Sequence, residues 1–160
     1  MRHPNPSPLD TLAATFRLLV DGPQPIALNG FAVGMRVEPI RLLDLQAILF
    51  HPATSVDVQR AALVELVRLA RRRRGPWVVG LAGVLLPGLR ETAARGALAR
   101  TGSNAHLGEA LLAELLEQLN APDSSDEDIA EVLLSRVVRR PSRRQWSSSA
   151  RRGSVAPAVA

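Results

Sequence analysis

The fold is decided by residues 54–89, which read TSVDVQRAALVELVRLARRRRGPWVVGLAGVLLPGL. Apolar residues recur at helical spacing over residues 58–69, which predicts an amphipathic helix. Thr54, with Asp57 three residues later, forms a capping-box pattern at the start of that helix. Gly75-Pro76 ends it, and the proline at once begins the next helix.

The second half of this stretch, Gly75–Leu89, contains no charged residue and directly follows Arg71–Arg74. A positive flank beside an apolar run is the orientation signal of a membrane helix. However, such a run rises only about 22 Å as a helix, whereas the hydrocarbon core is about 30 Å thick. Its internal glycines and Pro87 weaken a membrane helix further. We therefore expect a buried helix of a soluble bundle, kinked at Pro87 and continuing to about residue 100. Membrane attachment through residues 71–89 is the less favoured alternative.

Helix signals recur along the rest of the chain. Ser7 precedes Pro8 and is followed three residues later by Asp10, which is the pattern of a capped helix start. Ser125 precedes three acids, which are favourable at the positive end of a helix dipole. Further helices are predicted over residues 8–20, 40–50, 107–119 and 126–137.

One segment interrupts the helices. Apolar triplets flank Asn29-Gly30, a two-residue turn signal that predicts a hairpin over residues 26–33. From residue 141 the sequence loses periodicity and is rich in Arg and Ser, which predicts a disordered basic tail over 141–160. The predicted fold is mainly α, a single compact bundle of five to six helices over residues 1–140, with this small β-hairpin.

Charge is sorted into blocks along the chain. Residues 71–105 hold seven Arg and one acid, residues 106–131 hold eight acids and no Arg, and residues 132–160 hold seven Arg and no acid. All 20 basic residues are Arg, as in proteins of high-GC genomes, so an arginine here is weaker evidence of bidentate recognition than in a Lys-rich chain. The electric fields of these charge blocks affect association with partners and do not determine the fold.

Two sets of arginines are the candidate nucleic-acid contacts, and they are Arg71, Arg72, Arg73, Arg74, Arg139, Arg140, Arg143 and Arg144. They suit phosphate binding, and Trp146 among the tail arginines suits stacking or insertion. Two other interpretations stay open. Arg71–Arg74 suit the negative end of a helix dipole without any ligand. The acidic block at 106–131 also offers carboxylates that would pair with both sets within the molecule.

A leucine-rich helix is the second candidate surface. One face of the predicted helix over 107–119 carries six leucines, and they are Leu107, Leu111, Leu112, Leu115, Leu116 and Leu119. Such an apolar stripe suits binding to a helix of a partner, which includes a second copy of this chain. We take it, with the apolar 76–89 segment, as a candidate protein interface.

No catalytic, metal or cofactor motif is present in the sequence. Cysteine is absent, which excludes disulfides and thiolate sites and fits a reducing cytoplasm. Of the three histidines, only His106 has a co-ligand candidate at helical spacing, Glu109, and a metal site needs more ligands. The chain has no nucleophile elbow and no P-loop spacing. We expect a non-enzymatic protein without a cofactor.

The run over residues 48–90, ILFHPATSVDVQRAALVELVRLARRRRGPWVVGLAGVLLPGLR, resembles a group of helical proteins from high-GC actinobacteria. They share an HP-[AS]-T-S step, a Gly-Pro-Trp-like junction and an apolar segment that ends in Pro-Gly-Leu-Arg. The resemblance extends over about residues 25–120. It implies a helical fold and no particular activity.

The segment over residues 106–122, HLGEALLAELLEQLNAP, is similar to the acidic helix in the second conserved region of sigma-70-type transcription factors. The residues that fit are Leu107, Glu109, Leu112, Leu115 and Leu119. Residues 124–140 contain no aromatic side chain, unlike the promoter-melting helix of that family. The resemblance therefore implies association with the transcription machinery, in a degenerate relative that does not melt promoter DNA.

The leading functional hypothesis from the sequence is a cytoplasmic, non-enzymatic protein associated with DNA or transcription, which contacts phosphates of duplex DNA through its arginine clusters. The alternative is a helical interaction module, homo- or hetero-oligomeric, with no nucleic-acid role. Binding of a duplex at two salt concentrations distinguishes them, because phosphate contacts make affinity fall steeply with salt.

Overall fold

The structure, a computed structural model, describes residues 5–36, 38–99 and 103–139. In this part the elements are α1 (Pro8–Asp21), β1 (Ala27–Leu28), a 3₁₀ turn (Gly30–Val33), β2 (Ile40–Arg41), α2 (Leu42–Phe50), α3 (Val56–Arg73), α4 (Pro76–Val84), α5 (Leu86–Ala99), α6 (Asn104–Asn120), α7 (Asp126–Leu133) and a π-helical turn (Leu134–Val138). The predicted mainly α fold is confirmed. The predicted tail over residues 141–160 lies outside the described residues.

The quoted stretch forms α3 and α4, and the junction between them lies where the sequence predicts it. The chain reverses at Arg74 and Gly75, which both have positive φ angles, and Pro76 begins α4. The cap of α3 differs by one residue, because the Ser55 hydroxyl accepts from the Val58 N–H. The Thr54 hydroxyl instead donates to the Ile48 carbonyl at 2.5 Å and closes the turn after α2.

Helix α4 is buried on almost every side, as expected of an apolar segment without charges. Its glycines let neighbouring helices approach closely. A Cβ atom on Gly83 would lie 2.0 Å from Phe16 Cδ2, and one on Gly80 would lie 2.9 Å from Leu42 Cδ1. Over the described part of the chain, no helix is both long enough and apolar enough to cross a membrane.

The kinked helix predicted over residues 76–100 is two helices, α4 and α5, divided at Leu85. Pro87 has no N–H, so the Gly83 carbonyl cannot accept the hydrogen bond that a regular helix would supply there. The Gln46 side-chain amide of α2 donates to that carbonyl at 2.8 Å instead. This division brings the described helices to seven, one more than the six segments that the sequence indicates.

A small antiparallel pair of strands is present where the hairpin is predicted, but its second strand is different. Asn29 Oδ1 accepts from the backbone of Phe31 at 2.9 Å and so begins a 3₁₀ turn rather than a hairpin turn. Strand β1 pairs with β2, with Leu28 opposite Ile40, both of them buried. Because Ile40 belongs to β2, helix α2 begins at Leu42.

The leucine-rich helix α6 crosses the bundle and contacts three other helices. Its Gly108 packs against Leu9 of α1, and Leu107 packs against Gly96 of α5. Leu115 and Leu119 are buried in the core with the apolar residues of α3. Helix α7 begins after Ser125, as the sequence predicts, and Ser125 forms a complete capping box with Asp128. The chain continues into the π-helical turn that packs on α5.

Candidate binding surfaces

Arg71 does not face solvent at the end of α3. Its Nη1 donates to the Ser124 carbonyl and to Asp126 Oδ1, each at 2.8 Å, and its Nη2 donates to the Ala121 carbonyl at 3.0 Å. Ala121 is the C-cap residue of α6, whose last carbonyls have no partner within the helix. We call this group of Arg71, Ala121, Ser124 and Asp126 the Arg71 latch. It holds the loop between α6 and α7 against α3.

The other three arginines at this helix end divide into two kinds. Arg74 Nη1 donates to Asn120 Oδ1 at 2.5 Å, so Arg74 also joins α3 to the end of α6. Arg72 and Arg73 are exposed and form no ion pair with the described residues. At this helix end, only Arg72 and Arg73 have guanidinium groups without a partner among the described residues. The nucleic-acid contact of the four arginines stays a prediction.

The second set of arginines lies far from the first. Arg139 Nη1 donates to the side-chain oxygen of Gln59 at 3.1 Å, near the beginning of α3. Gln59 is buried, and its amide donates to the Leu49 carbonyl. From Gln59 to Arg73 the helix rises about 21 Å, so the described arginines do not form one continuous surface. Arg140, Arg143 and Arg144 lie outside the described residues.

The acidic block neutralises part of this charge within the molecule. Glu131 Oε2 lies 2.9 Å from Arg60 Nε, and Glu114 Oε1 lies 2.7 Å from Arg136 Nη1. The hydrogen bond from Arg60 to Glu131 raises the pKa of that guanidinium. Of the carboxylates Asp126, Glu131 and Glu114, only Asp126 pairs with one of the candidate arginines, Arg71. Glu131 and Glu114 pair with Arg60 and Arg136, which belong to neither candidate set.

The six leucines of α6 do not form one partner-binding face, and that prediction is wrong in part. Leu115 and Leu119 are each 4% exposed because they belong to the protein's own core. Leu107, Leu111 and Leu112 are half-buried against that core, and Leu116 is 47% exposed. Of the six, Leu111 and Leu115 line a groove, and Leu116 remains available at the surface.

This groove has a volume of about 430 Å³ and lies between α5, α6, α7 and the π-helical turn. We call it the α6 groove. Its walls are mainly apolar, and the polar side chains at its edge include the Glu114–Arg136 ion pair. Leu111 and Val132 contribute apolar surface from α6 and α7, and Gln118 and Ser135 contribute polar atoms.

Gln118, which lines the groove, has a buried polar atom without a hydrogen-bond partner among the described residues. Its Oε1 atom is buried, and no group in the described part of the chain donates a hydrogen bond to it. Its Nε2 donates to Glu114 Oε1 at 3.4 Å. A buried acceptor without a donor destabilises the protein unless something supplies the missing hydrogen bond.

Sequence reasoning missed Gln118 and Arg136 as functional candidates. Gln118 follows Leu111 and Leu115 at helical spacing, so a polar residue on an apolar stripe was the available signal. Nothing in the sequence indicated that Arg136 would pair across the groove with Glu114. Among the described residues, neither the groove nor the Arg71 latch places a nucleophile beside a base.

Within the described ranges no cluster of three or more His, Asp and Glu side chains is placed to hold a metal ion. His106 and Glu109 are both exposed on the first turns of α6. His51 Nδ1 accepts from the Ala53 N–H at 3.1 Å, in the turn that follows α2. His3 lies outside the described residues.

No family model, no curated protein and no solved structure matches this chain. The two resemblances drawn from the sequence therefore stay predictions. The function is accordingly inferred from the geometry of the arginines and of the α6 groove.

Proposed function

We propose that this protein is a non-enzymatic, cytoplasmic helical interaction module whose binding site is the α6 groove. The occupant is a protein segment that presents an apolar side chain together with a hydrogen-bond donor. This is the second of the two functions that the sequence suggests. It ranks first because the arginines required by the other function are partly engaged within the molecule.

The unsatisfied Gln118 Oε1 is the observation that supports this proposal most strongly. Binding sites for small groups and peptide side chains are concave and mostly apolar, with a few polar atoms that fix orientation. The α6 groove has this composition, and Gln118, one of its lining residues, has a buried Oε1 atom without a donor among the described residues. A bound donor would satisfy Gln118 and so add to the affinity of the apolar contact.

Affinity purification from cells of the source organism tests the proposal with two matched variants. Leu111→Arg places a charged side chain in the groove, whereas Ala113→Arg adds the same charge at an exposed position of α6. We expect at least one protein to be retained by the wild type and by Ala113→Arg, and to be lost from Leu111→Arg. Binding of that protein is then reproduced with purified components.

Identical sets of proteins bound by all three chains would contradict the groove as the binding site. Circular dichroism of each variant shows whether the helices are intact. Leu111→Arg is informative only if its helix content matches that of the wild type. If it does not, Val132→Arg replaces it, because Val132 faces the same groove from α7.

Nucleic-acid binding is the second candidate function, and the exposed pair Arg72 and Arg73 supports it. The Arg-rich sequence over 140–152 adds further positive charge without a single acid. Both would contact phosphates of duplex DNA without reading its sequence. In this form the protein would be associated with DNA or with the transcription machinery, as the sigma-like resemblance implies.

A titration of a generic duplex at several salt concentrations tests this candidate. If Arg72 and Arg73 each neutralise a phosphate, the double variant Arg72→Ala/Arg73→Ala reduces the slope of log affinity against log salt by about 1.8. Arg17→Ala/Arg36→Ala is the matched control, because it removes two other exposed arginines. Equal slopes for the two double variants would contradict a site at the end of α3.

A further inference from the structure

We propose that the groove between α3, α7 and the 3₁₀ turn binds a basic segment of a partner protein, in which cationic side chains flank an apolar one. This groove has a volume of about 330 Å³, and its lining residues include Ala32, Asp57, Arg60, Ala61, Val64 and Glu127. We call it the α3 groove. Among the described residues it shares none with the α6 groove, so it is a second binding surface, beyond the proposed function.

The α3 groove follows one face of helix α3. Asp57, Ala61 and Val64 are three or four residues apart, so they follow one another along a single face of the helix. From Asp57 to Glu65, which also lines the groove, the helix rises about 12 Å. That length accommodates about two turns of a partner helix or about four residues of an extended segment.

Carboxylates outnumber cations in this groove. Asp57, Glu65 and Glu127 line it, whereas Arg60 is the one positively charged residue among its described lining residues. Arg60 is already engaged, because its Nη1 lies 3.3 Å from Asp57 Oδ1 and its Nε lies 2.9 Å from Glu131 Oε2. The groove therefore has an excess of negative charge that the surrounding side chains do not neutralise.

Glu127 is the clearest part of this excess. Glu65 is paired with Arg68, but Glu127 is exposed and forms no ion pair or side-chain hydrogen bond with the described part of the chain. Asp57 is likewise exposed and shares Arg60 with Glu131. A guanidinium or ammonium group of a partner would pair with Glu127 and Asp57, and this electrostatic complementarity selects a basic partner.

The apolar residues of the groove show that the partner is more than a charge. Ala61 and Val64 are half-buried on the core, and Ala32 is exposed beside them. Phe31, which precedes Ala32, is 63% exposed. The carboxylates repel a nucleic acid, and a metal ion would leave the apolar surface in contact with water. A protein segment supplies both an apolar side chain and the cations, as in helix-in-groove recognition.

Fluorescence anisotropy of a labelled synthetic peptide tests the proposal on the full-length protein. The probe is an amphipathic helical peptide of Leu, Ala and Arg, and its twin carries Glu in place of each Arg. We expect the Arg peptide to bind more tightly, and its affinity should fall as salt is added, because exposed charges are screened. Equal affinity for the two peptides would overturn the proposal.

A double variant shows whether the peptide binds at the α3 groove. Asp57→Asn/Glu127→Gln removes the two exposed carboxylates and should reduce the affinity for the Arg peptide by about five-fold, as expected for the loss of two exposed ion pairs. Asp21→Asn/Glu109→Gln removes the same charge at exposed positions elsewhere and should change the affinity less than two-fold. Equal losses from the two double variants would overturn the proposal.

Arg60→Gln is the sharper variant, because it should increase the affinity. It releases Asp57 and Glu131 from their cation and makes both carboxylates available to the peptide. Arg17→Gln is the matched control, since it removes an exposed arginine of α1. We expect Arg60→Gln to bind the Arg peptide several-fold more tightly than Arg17→Gln does. Equal affinities of these two variants would show that Arg60 does not compete with the peptide, and the proposal would fail.

A change without charge and a measurement of mass separate the remaining outcomes. Ala32→Trp fills the groove and should weaken binding of the Arg peptide, whereas Ala113→Trp on the exposed face of α6 should not. Loss of binding in Leu111→Arg but not in Ala32→Trp would assign the peptide to the α6 groove and overturn the proposal. Self-association seen by light scattering and abolished by Asp57→Asn/Glu127→Gln would identify a second copy as the occupant and also overturn it. Circular dichroism checks that each variant is folded.

Discussion

Two ion pairs connect the acidic block to arginines over almost the same distance, yet their surroundings differ. Arg71 Nη1 lies 2.8 Å from Asp126, and Arg136 Nη1 lies 2.7 Å from Glu114. The side chains of the first pair are 22% and 25% exposed, and those of the second are 66% and 47% exposed. The Arg71 latch is therefore partly buried between elements of the fold, and we call it the closed region. The pair of Arg136 and Glu114 is exposed at the rim of the α6 groove, and we call helix α6 with this groove the open region.

The comparison shows that the length of an ion pair does not indicate its role. In the latch, the guanidinium also donates to two backbone carbonyls, so its removal leaves several partly buried acceptors without a donor. At the rim, water replaces either partner at little cost, and such exposed pairs contribute between zero and about 1 kcal/mol. A binding surface needs groups that can exchange one hydrogen-bonding partner for another. Of these two ion pairs, only the exposed pair at the rim can do so.

Arg71→Ala should destabilise the protein more than any single change at the rim or at a helix cap. It removes three hydrogen bonds at once and leaves Asp126 without its cation. We expect the free energy of unfolding to fall by about 3 kcal/mol. Urea denaturation followed by circular dichroism measures this change.

The matched control for Arg71→Ala is Arg136→Ala, which breaks a pair of similar length at the rim. We expect Arg136→Ala to change the free energy of unfolding by no more than about 0.5 kcal/mol. Arg71→Lys should lie between the two, because an ammonium retains the charge without the fork of donors. Equal losses in the free energy of unfolding from Arg71→Ala and Arg136→Ala would contradict the distinction between the partly buried Arg71 latch and the exposed rim of the groove.

Gly88→Ala should have the next largest effect, because Gly88 packs directly against Val137, which lines the groove. A Cβ atom on Gly88 would lie 2.4 Å from the Val137 carbonyl oxygen, so the π-helical turn must move. We expect a loss of about 2 kcal/mol in the free energy of unfolding. Gly96→Ala is the control, since its Cβ would meet only the flexible end of Leu107, at 3.0 Å and beyond. That variant should be as stable as the wild type or more stable, because alanine favours a helix.

The elements of the closed region were predictable from the sequence, although its contacts were not. Local signals placed the end of α3 after the arginines, the end of α6 near residue 119 and the beginning of α7 after Ser125, because each depends on neighbouring residues. The latch itself joins Arg71 to Asp126 across 55 positions, and no spacing rule predicts such a pair. For this reason, the sequence could not decide whether these arginines are free or paired.

The open region was predicted less well for a different physical reason. The periodicity of α6 identified an apolar stripe but could not say which leucines lie in the core, because that depends on the neighbours of the helix. The hairpin near residue 30 is present, but its turn and its second strand differ from the prediction. Asn29 can cap a 3₁₀ turn as well as form a hairpin turn, and the pairing of Leu28 with Ile40 decided between them.

Ser125→Ala should have a smaller effect, confined to the closed region. It removes the capping box of α7, and we expect a loss of about 1 kcal/mol in the free energy of unfolding at neutral pH. The Ser125 hydrogen bonds hold the pKa of Asp128 below its usual value. A lowered folded-state pKa stabilises the protein above the unfolded value, and this contribution is lost as the pH falls through the folded value.

The pH dependence of this variant checks the cause of the loss. Below about pH 4, where aspartates become protonated, the wild type should lose the Asp128 contribution that Ser125→Ala has already lost. The difference between the two proteins should therefore shrink on acidification. The Ser7 hydroxyl lowers the pKa of Asp10 in the same way, so Ser7→Ala is the parallel control on α1. A constant difference across this range would mean that the cap acts without Asp128.

The smallest effect is expected from neutralising the rim, and salt makes it measurable. Glu114→Gln and Asp126→Asn are matched carboxylate-to-amide changes in the open and the closed region. We expect Glu114→Gln to change the free energy of unfolding by less than about 0.5 kcal/mol, and this difference should vanish in concentrated salt because exposed charges are screened. Asp126→Asn should cost more at every salt concentration, since the partly buried Arg71 is poorly reached by counterions. If both differences vanished together in salt, the latch would be as accessible to solvent as the rim, and Arg71 would have to be counted with Arg72 and Arg73 as a ligand-binding residue.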